Sequence, residues 1–276
     1  MELGISALGH IIEMGLNGKF KNLFELLYKA SEECLNFAEQ FGIKIIELVI
    51  DPPEVFNPEN RQKFIALVNS YSLEKQVHGP FIDMNLCSHN NDISMASTES
   101  YIKSIKLCNE IGGKMITIHP GIANFLLPSI REFNKIQLKN SIFRLLDYAL
   151  NENIKICLEN MPRNTYIMTN NINIEEVFSF ISRKDLFLTY DTSHFYTCDG
   201  DVKQLWLKFH GSIKNIHIVD NFSKITDTHP PLGTGKIDFK EIFEVIKNYN
   251  YKGPLIIELS NVKSLNKSLA YITKFL

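Results

Sequence analysis

The feature that most constrains this chain is an apolar run, short enough for a strand, that returns eight times. The runs cover residues 2–6, 44–51, 75–81, 114–119, 154–159, 186–191, 213–220 and 254–260. Between them, residues 23–41, 59–70, 98–111, 141–150, 174–181 and 239–247 carry apolar side chains at helical intervals, the pattern of amphipathic helices. Buried strands that alternate with helices predict parallel βαβ units. Eight units in 276 residues predict a closed (β/α)8 TIM barrel, one domain over residues 1–276, because such a barrel needs about 250 residues. An open doubly wound sheet is the competing fold, but no G-x-G-x-x-G follows the first run.

Composition narrows the function classes. A formal net charge of -2 excludes a broadly basic surface and leaves room only for local phosphate binding. No apolar run reaches the roughly 18 residues of a membrane span, and Met-Glu-Leu-Gly-Ile-Ser lacks the basic start of a signal peptide. A cytoplasmic monomer with no membrane partner is expected. The five cysteines are odd in number and form no C-x-x-C pair, so reduced, mostly buried thiols are expected. Cys157 reads as a small packing residue.

Chemistry is concentrated at the ends of the runs. His78, His119, Glu159, Asp191 and Glu258 each close or nearly close one, and His217 sits inside the seventh. Successive steps along this series are 41, 40, 32, 26 and 41 residues, each about one βα unit. Side chains alternate across a strand, so Ile118, Leu158, Ile216 and Ile257 can face the helices while their polar neighbours face the axis. Burying so many titratable groups unpaired would be prohibitive, whereas bound cations would neutralise the carboxylates and use the imidazole nitrogens. Asp191-Thr192-Ser193-His194 and Asp227-Thr228-His229 add further donors at close spacing. Of the other histidines, His10 and His89 are expected in exposed loops, and His210 at a helix terminus.

From the third run to the eighth, the sequence resembles the endonuclease IV branch of the xylose-isomerase-like barrels. The stretches that carry the likeness are His78-Gly79-Pro80-Phe81, Ile118-His119-Pro120-Gly121, Leu158-Glu159-Asn160, Asp191-Thr192-Ser193-His194, Ile216-His217-Ile218-Val219-Asp220, Asp227-Thr228-His229 with Leu232-Gly233-Thr234-Gly235, and Ile257-Glu258. The resemblance implies up to three zinc ions. His78, His119 and Glu159 would hold the first; Glu159, Asp191, His217 and Glu258 the second; His194, Asp227 and His229 the third. It implies hydrolysis of DNA 5′ to abasic sites, with Glu159 bridging two ions and Phe81 against the gap left by the missing base. The sequence departs from that branch at Asp51-Pro52-Pro53-Glu54-Val55-Phe56-Asn57-Pro58, which lacks basic residues, at Thr228, and at Met161-Pro162-Arg163.

The sugar isomerases and epimerases of the same barrel resemble the chain at Glu159, Asp191, His217 and Glu258 alone. That likeness implies one metal, manganese being an option, and a small sugar substrate held between Glu159 and Glu258 as acid/base pair.

Overall fold

The computed structural model describes residues 1–51 and 53–276, so Pro52 of the loop after the second run lies outside the described residues. One strand falls on each apolar run, β3 starting one residue before its run: β1 (Glu2–Ser6), β2 (Ile45–Val49), β3 (Glu74–His78), β4 (Met115–Ile118), β5 (Lys155–Glu159), β6 (Leu186–Asp191), β7 (Ile213–Ile218) and β8 (Pro254–Ile257). They pair in sequence order, all parallel, and β1 closes the ring on β8 with Leu3 opposite Leu255. The helices are α1 (Leu8–Asn17), α2 (Leu23–Gln40), α3 (Pro58–Asn69), α4 (Asn91–Glu110), α5 (Arg131–Glu152), α6 (Asn171–Ile181), α7 (Thr192–Thr197), α8 (Val202–Phe209), α9 (Phe239–Asn248) and α10 (Leu265–Ile272). Among the described residues no helix is long and apolar enough to cross a membrane.

Alternation along the strands sorts the side chains as expected. Ile118, Leu158, Ile216 and Ile257 are buried in the apolar layer between strands and helices. The axis is polar instead. Gln76 Nε2 donates to Glu47 Oε2 at 2.7 Å, Asn215 Nδ2 to Thr117 Oγ1 at 3.1 Å, and the Thr117 and Thr189 hydroxyls meet at 2.9 Å. Two residues further along the same strands come His78, His119, Asp191 and His217, so the hydrogen-bonded layer is the floor beneath the candidate site.

Helix α1 shapes the rim of this mouth. Gly9 permits its close approach to the chain after β8, since a Cβ there would lie 2.9 Å from the Leu259 carbonyl oxygen. The backbone N–H of Val262 donates to Glu13 at 3.0 Å and fixes that contact. His10 is therefore buried in a helix beside Phe37, and the expectation of an exposed loop position is corrected. The expectations for His89, His210 and the cysteines hold. His89 is exposed, and His210 caps α8 with Nδ1 3.1 Å from the Trp206 carbonyl. All five cysteines are free, and burial pushes the Cys157 thiol up to about 12, as suits a packing residue.

Candidate metal centre

Local structure delivers each donor to the same place. Asp191 ends β6 and also caps α7, its Oδ1 accepting from the His194 backbone N–H at 2.7 Å, so one short turn fixes two donors. Asn160 locks β5 to β6: its amide donates to the Asp191 carbonyl at 3.0 Å and its Oδ1 accepts from the Asp191 N–H at 2.8 Å. Asp220, beyond β7, accepts from the backbone N–H groups of Asn221, Gly233 and Gly235 at 2.8, 2.9 and 2.8 Å. That anchor shapes the loop bearing Asp227 and His229. His229 itself adopts φ 44°, a left-handed conformation unusual for a non-glycine residue, and the Ser260 N–H and hydroxyl hold its carbonyl at 3.1 and 3.0 Å.

The nine residues singled out by the sequence converge on one cluster. His119 Nε2 lies 2.8 Å and His78 Nε2 3.4 Å from Glu159 Oε2. On the other oxygen of Glu159, His217 Nδ1 lies at 2.9 Å. His194 Nε2 and His229 Nε2 reach Asp227 Oδ2 at 3.1 and 2.7 Å, and His229 Nδ1 is 3.3 Å from Glu258 Oε1. His78–His119–Glu159, His194–Asp227–His229 and Glu159–Asp191–His217 are each compact enough to surround an ion. Phe81 packs over the first of them, its ring 5.4 Å from His78 and 5.6 Å from His119.

Outer partners set which imidazole nitrogen faces inward. His78 Nδ1 donates to the Gly79 carbonyl and His194 Nδ1 to the Asn160 carbonyl, each at 2.9 Å, leaving both Nε2 atoms free to bind a cation. For His217 the partner is Glu47, whose Oε2 accepts from Nε2 at 3.2 Å, so Nδ1 is the nitrogen turned toward Glu159, Asp191 and Glu258. Glu47 was not picked out from the sequence. It is fully buried in mid-strand, and the only signal was a single carboxylate inside the otherwise apolar Ile45-Ile46-Glu47-Leu48-Val49.

The electrostatics suit bound cations. Burial pushes Asp191 up to about 7, against the pull of His194 and with Glu159 adding repulsion. Burial also opposes ionisation of Glu258, but His229 and His217 outweigh it and hold the carboxyl down to about 2. Among the described residues, Asp191 Oδ2 and Glu258 Oε2 are buried without a hydrogen bond, and both lie 3.8 Å from His217 Nδ1. Two unpaired carboxylate oxygens and an imidazole nitrogen turned toward them, with Glu159 beside them, form a donor set of the kind zinc or manganese takes.

The cluster opens into a cavity of about 740 Å³ lined by Leu8, Ile11, Ile12, Leu23, Leu26, Val49, Asp51, Phe81, Ile82, Met161, Pro162, Thr228, Ser260 and the donors other than Asp191 and His217, which lie beneath its surface; among the described residues no lysine or arginine lines it. Arg163 turns away to Thr197 and Asp199, and Asp51 accepts from the backbone N–H groups of Phe81 and Ile82 at 3.1 and 2.9 Å.

Comparison with known proteins agrees with this architecture. Residues 35–275 match a family profile described as a xylose isomerase-like TIM barrel. An L-ribulose 3-epimerase from a Methylomonas species is 26% identical over 56% of the chain and 53% of its own length. A probable endonuclease 4 from Mycoplasma capricolum is 26% identical over 65% of the chain and 66% of its own. The crystal structure of a D-tagatose 3-epimerase-like protein superposes with a TM-score of 0.82 at 24% identity, covering 100% of this chain and 97% of the other.

Proposed function

Since the chain belongs to the xylose isomerase-like TIM-barrel family, we propose that it is a metal-dependent isomerase or epimerase of a small, sugar-like carbonyl compound. The observation that carries this reading is the cavity, about 740 Å³ and lined by no lysine or arginine. That volume suits a small molecule. A nucleic-acid substrate needs cationic contacts to its phosphates, which these walls lack. The similarity to an L-ribulose 3-epimerase supports the same class.

Glu159, Asp191, His217 and Glu258 would hold the ion, which supplies positive charge to polarise a substrate carbonyl. The protein's own part is proton transfer. Glu159 and Glu258 reach the same nitrogen of His217, at 2.9 and 3.8 Å, from strands three places apart in the ring. A substrate carbon between them can lose a proton to one carboxylate and regain it from the other, which is what inversion beside a carbonyl requires. Both carboxylates are buried.

A second reading is favoured by one specific observation, the extra donor group His194–Asp227–His229. A one-metal isomerase does not need it, whereas a zinc phosphodiesterase of the endonuclease 4 type would use it for a third ion. Metal content, ketose epimerisation followed by deuterium uptake from D2O, and cleavage of an abasic-site duplex separate the two when run on wild type and His229→Ala. Deuterium uptake by both proteins is the expected result. Duplex cleavage by a three-zinc wild type, reduced about 10²- to 10³-fold in the variant, would instead establish the phosphodiesterase.

A further inference from the structure

The cavity has two unlike walls. One carries the metal donors. The other is built by Leu8, Ile11 and Ile12 of α1, Leu23 and Leu26 of α2, and Phe81. The polar lining residues outside the donor set are Asp51, Thr228 and Ser260, and each is already engaged through one oxygen, which leaves Asp51 Oδ1 as the one carboxylate acceptor. Asp51 takes two backbone N–H groups, the Thr228 hydroxyl donates to Asn221 Oδ1 at 2.7 Å, and the Ser260 hydroxyl donates to the His229 carbonyl at 3.0 Å. An unsubstituted sugar reaching across from the donors would strip water from several hydroxyls and find few partners to replace it, a net cost.

We propose that the substrate is amphipathic, with an oxygen-rich head at the donor cluster and an alkyl or aryl substituent lying against α1 and α2. The assignment rests on the reading that the donor cluster binds the reacting head, and it adds the class of molecule: a substituted sugar or hydroxy-carbonyl compound, bound in preference to a free ketose that would still turn over. The apolar wall is preformed, because Gly9 seats α1 against the Leu259 carbonyl and the Glu13–Val262 hydrogen bond ties it there. Phe81 lines the same cavity and packs against His78 and His119, so head and substituent of one molecule can be held together.

The test uses metal-chelating probes whose binding does not depend on turnover. Acetohydroxamate, hexanohydroxamate and octanohydroxamate are titrated calorimetrically into the zinc-loaded full-length protein, its Ile12→Gln variant and its Leu26→Gln variant. Both side chains face the cavity and neither belongs to the packed core, so the variants should fold. Burying a methylene tightens binding about three- to fourfold, so octanohydroxamate should bind on the order of 30-fold or more tighter than acetohydroxamate. Each variant should weaken octanohydroxamate about fivefold or more and leave acetohydroxamate unchanged. Affinity that does not rise with chain length, a rise untouched by both substitutions, or failure of every probe to bind would each overturn the proposal. Loss of the isomerase reading while the chain-length effect persists would leave the apolar subsite in place, and ketose turnover without that effect would do the reverse.

Discussion

Glu47 and His217 face each other at the bottom of the site, where the carboxylate accepts from Nε2 and turns Nδ1 toward the cluster. Glu47→Gln keeps the shape but loses the negative charge, so affinity for the ion bound through His217 should fall about 10- to 100-fold, measured by competition with a fluorescent chelator. An unchanged affinity would reduce Glu47 to a packing role. His10 tests burial itself. Its Nδ1 has no partner among the described residues, and burial lowers its pKa to about 4, against a small opposing pull from Glu13. A folded-state value below the unfolded 6.5 means that the unfolded chain binds the extra proton. This contribution is therefore intact above about pH 6.5 and is lost as pH falls toward 4, by up to about 3 kcal/mol. Urea midpoints of His10→Leu should fall less steeply than those of wild type between pH 6.5 and 4.5, and parallel curves would refute the assignment.

The loop after β7 shows how an element carries a site. Asp220 gathers the N–H groups of Gly233 and Gly235, and a Cβ on Gly235 would lie 2.1 Å from Asp220 Oδ1. Gly235→Ala must therefore push Asp220 aside and release the segment bearing Asp227 and His229. It should cost on the order of 1–3 kcal/mol in thermal unfolding and selectively lose metal from the His194–Asp227–His229 group. Retention of metal there would show that the loop tolerates the shift. Elements differed in how readable they were from sequence. The eight strands were legible because buried parallel strands leave continuous apolar runs. Helices α4 and α5 begin at Asn91 and Arg131, before their apolar spacing becomes visible at 98 and 141, because their first turns are polar; Asn90 caps α4 by accepting from Asp92. Helix α1 follows β1 after Ala7 alone and contains Gly9 and Gly15, so neither a polar turn nor a clean helical pattern announced it.

At the scale of the molecule, the donor cluster should tie stability to metal. Five histidines and four carboxylates meet in one place, and burial penalises every charge that no partner or ion offsets. Ions present at about a thousandfold over their Kd would add about 4 kcal/mol, so EDTA treatment should lower Tm by roughly 10 °C and added zinc should restore it. A Tm indifferent to chelation would argue against resident ions. The convergence of the nine side chains was legible because a barrel gathers its strand ends, turning residues far apart in sequence into neighbours. The apolar wall was not, since it depends on how α1 leans across the mouth, and Glu47 was not, since it lies one layer below the strand ends. Closure of the ring also gives the site an order of assembly. His78, His119 and Glu159 come from the neighbouring strands β3, β4 and β5, so a chain still emerging from the ribosome can gather them as soon as those strands pair. The position beside Glu258 exists only after β8 has zipped onto β1, so an ion bound there acts as a seal on the finished barrel.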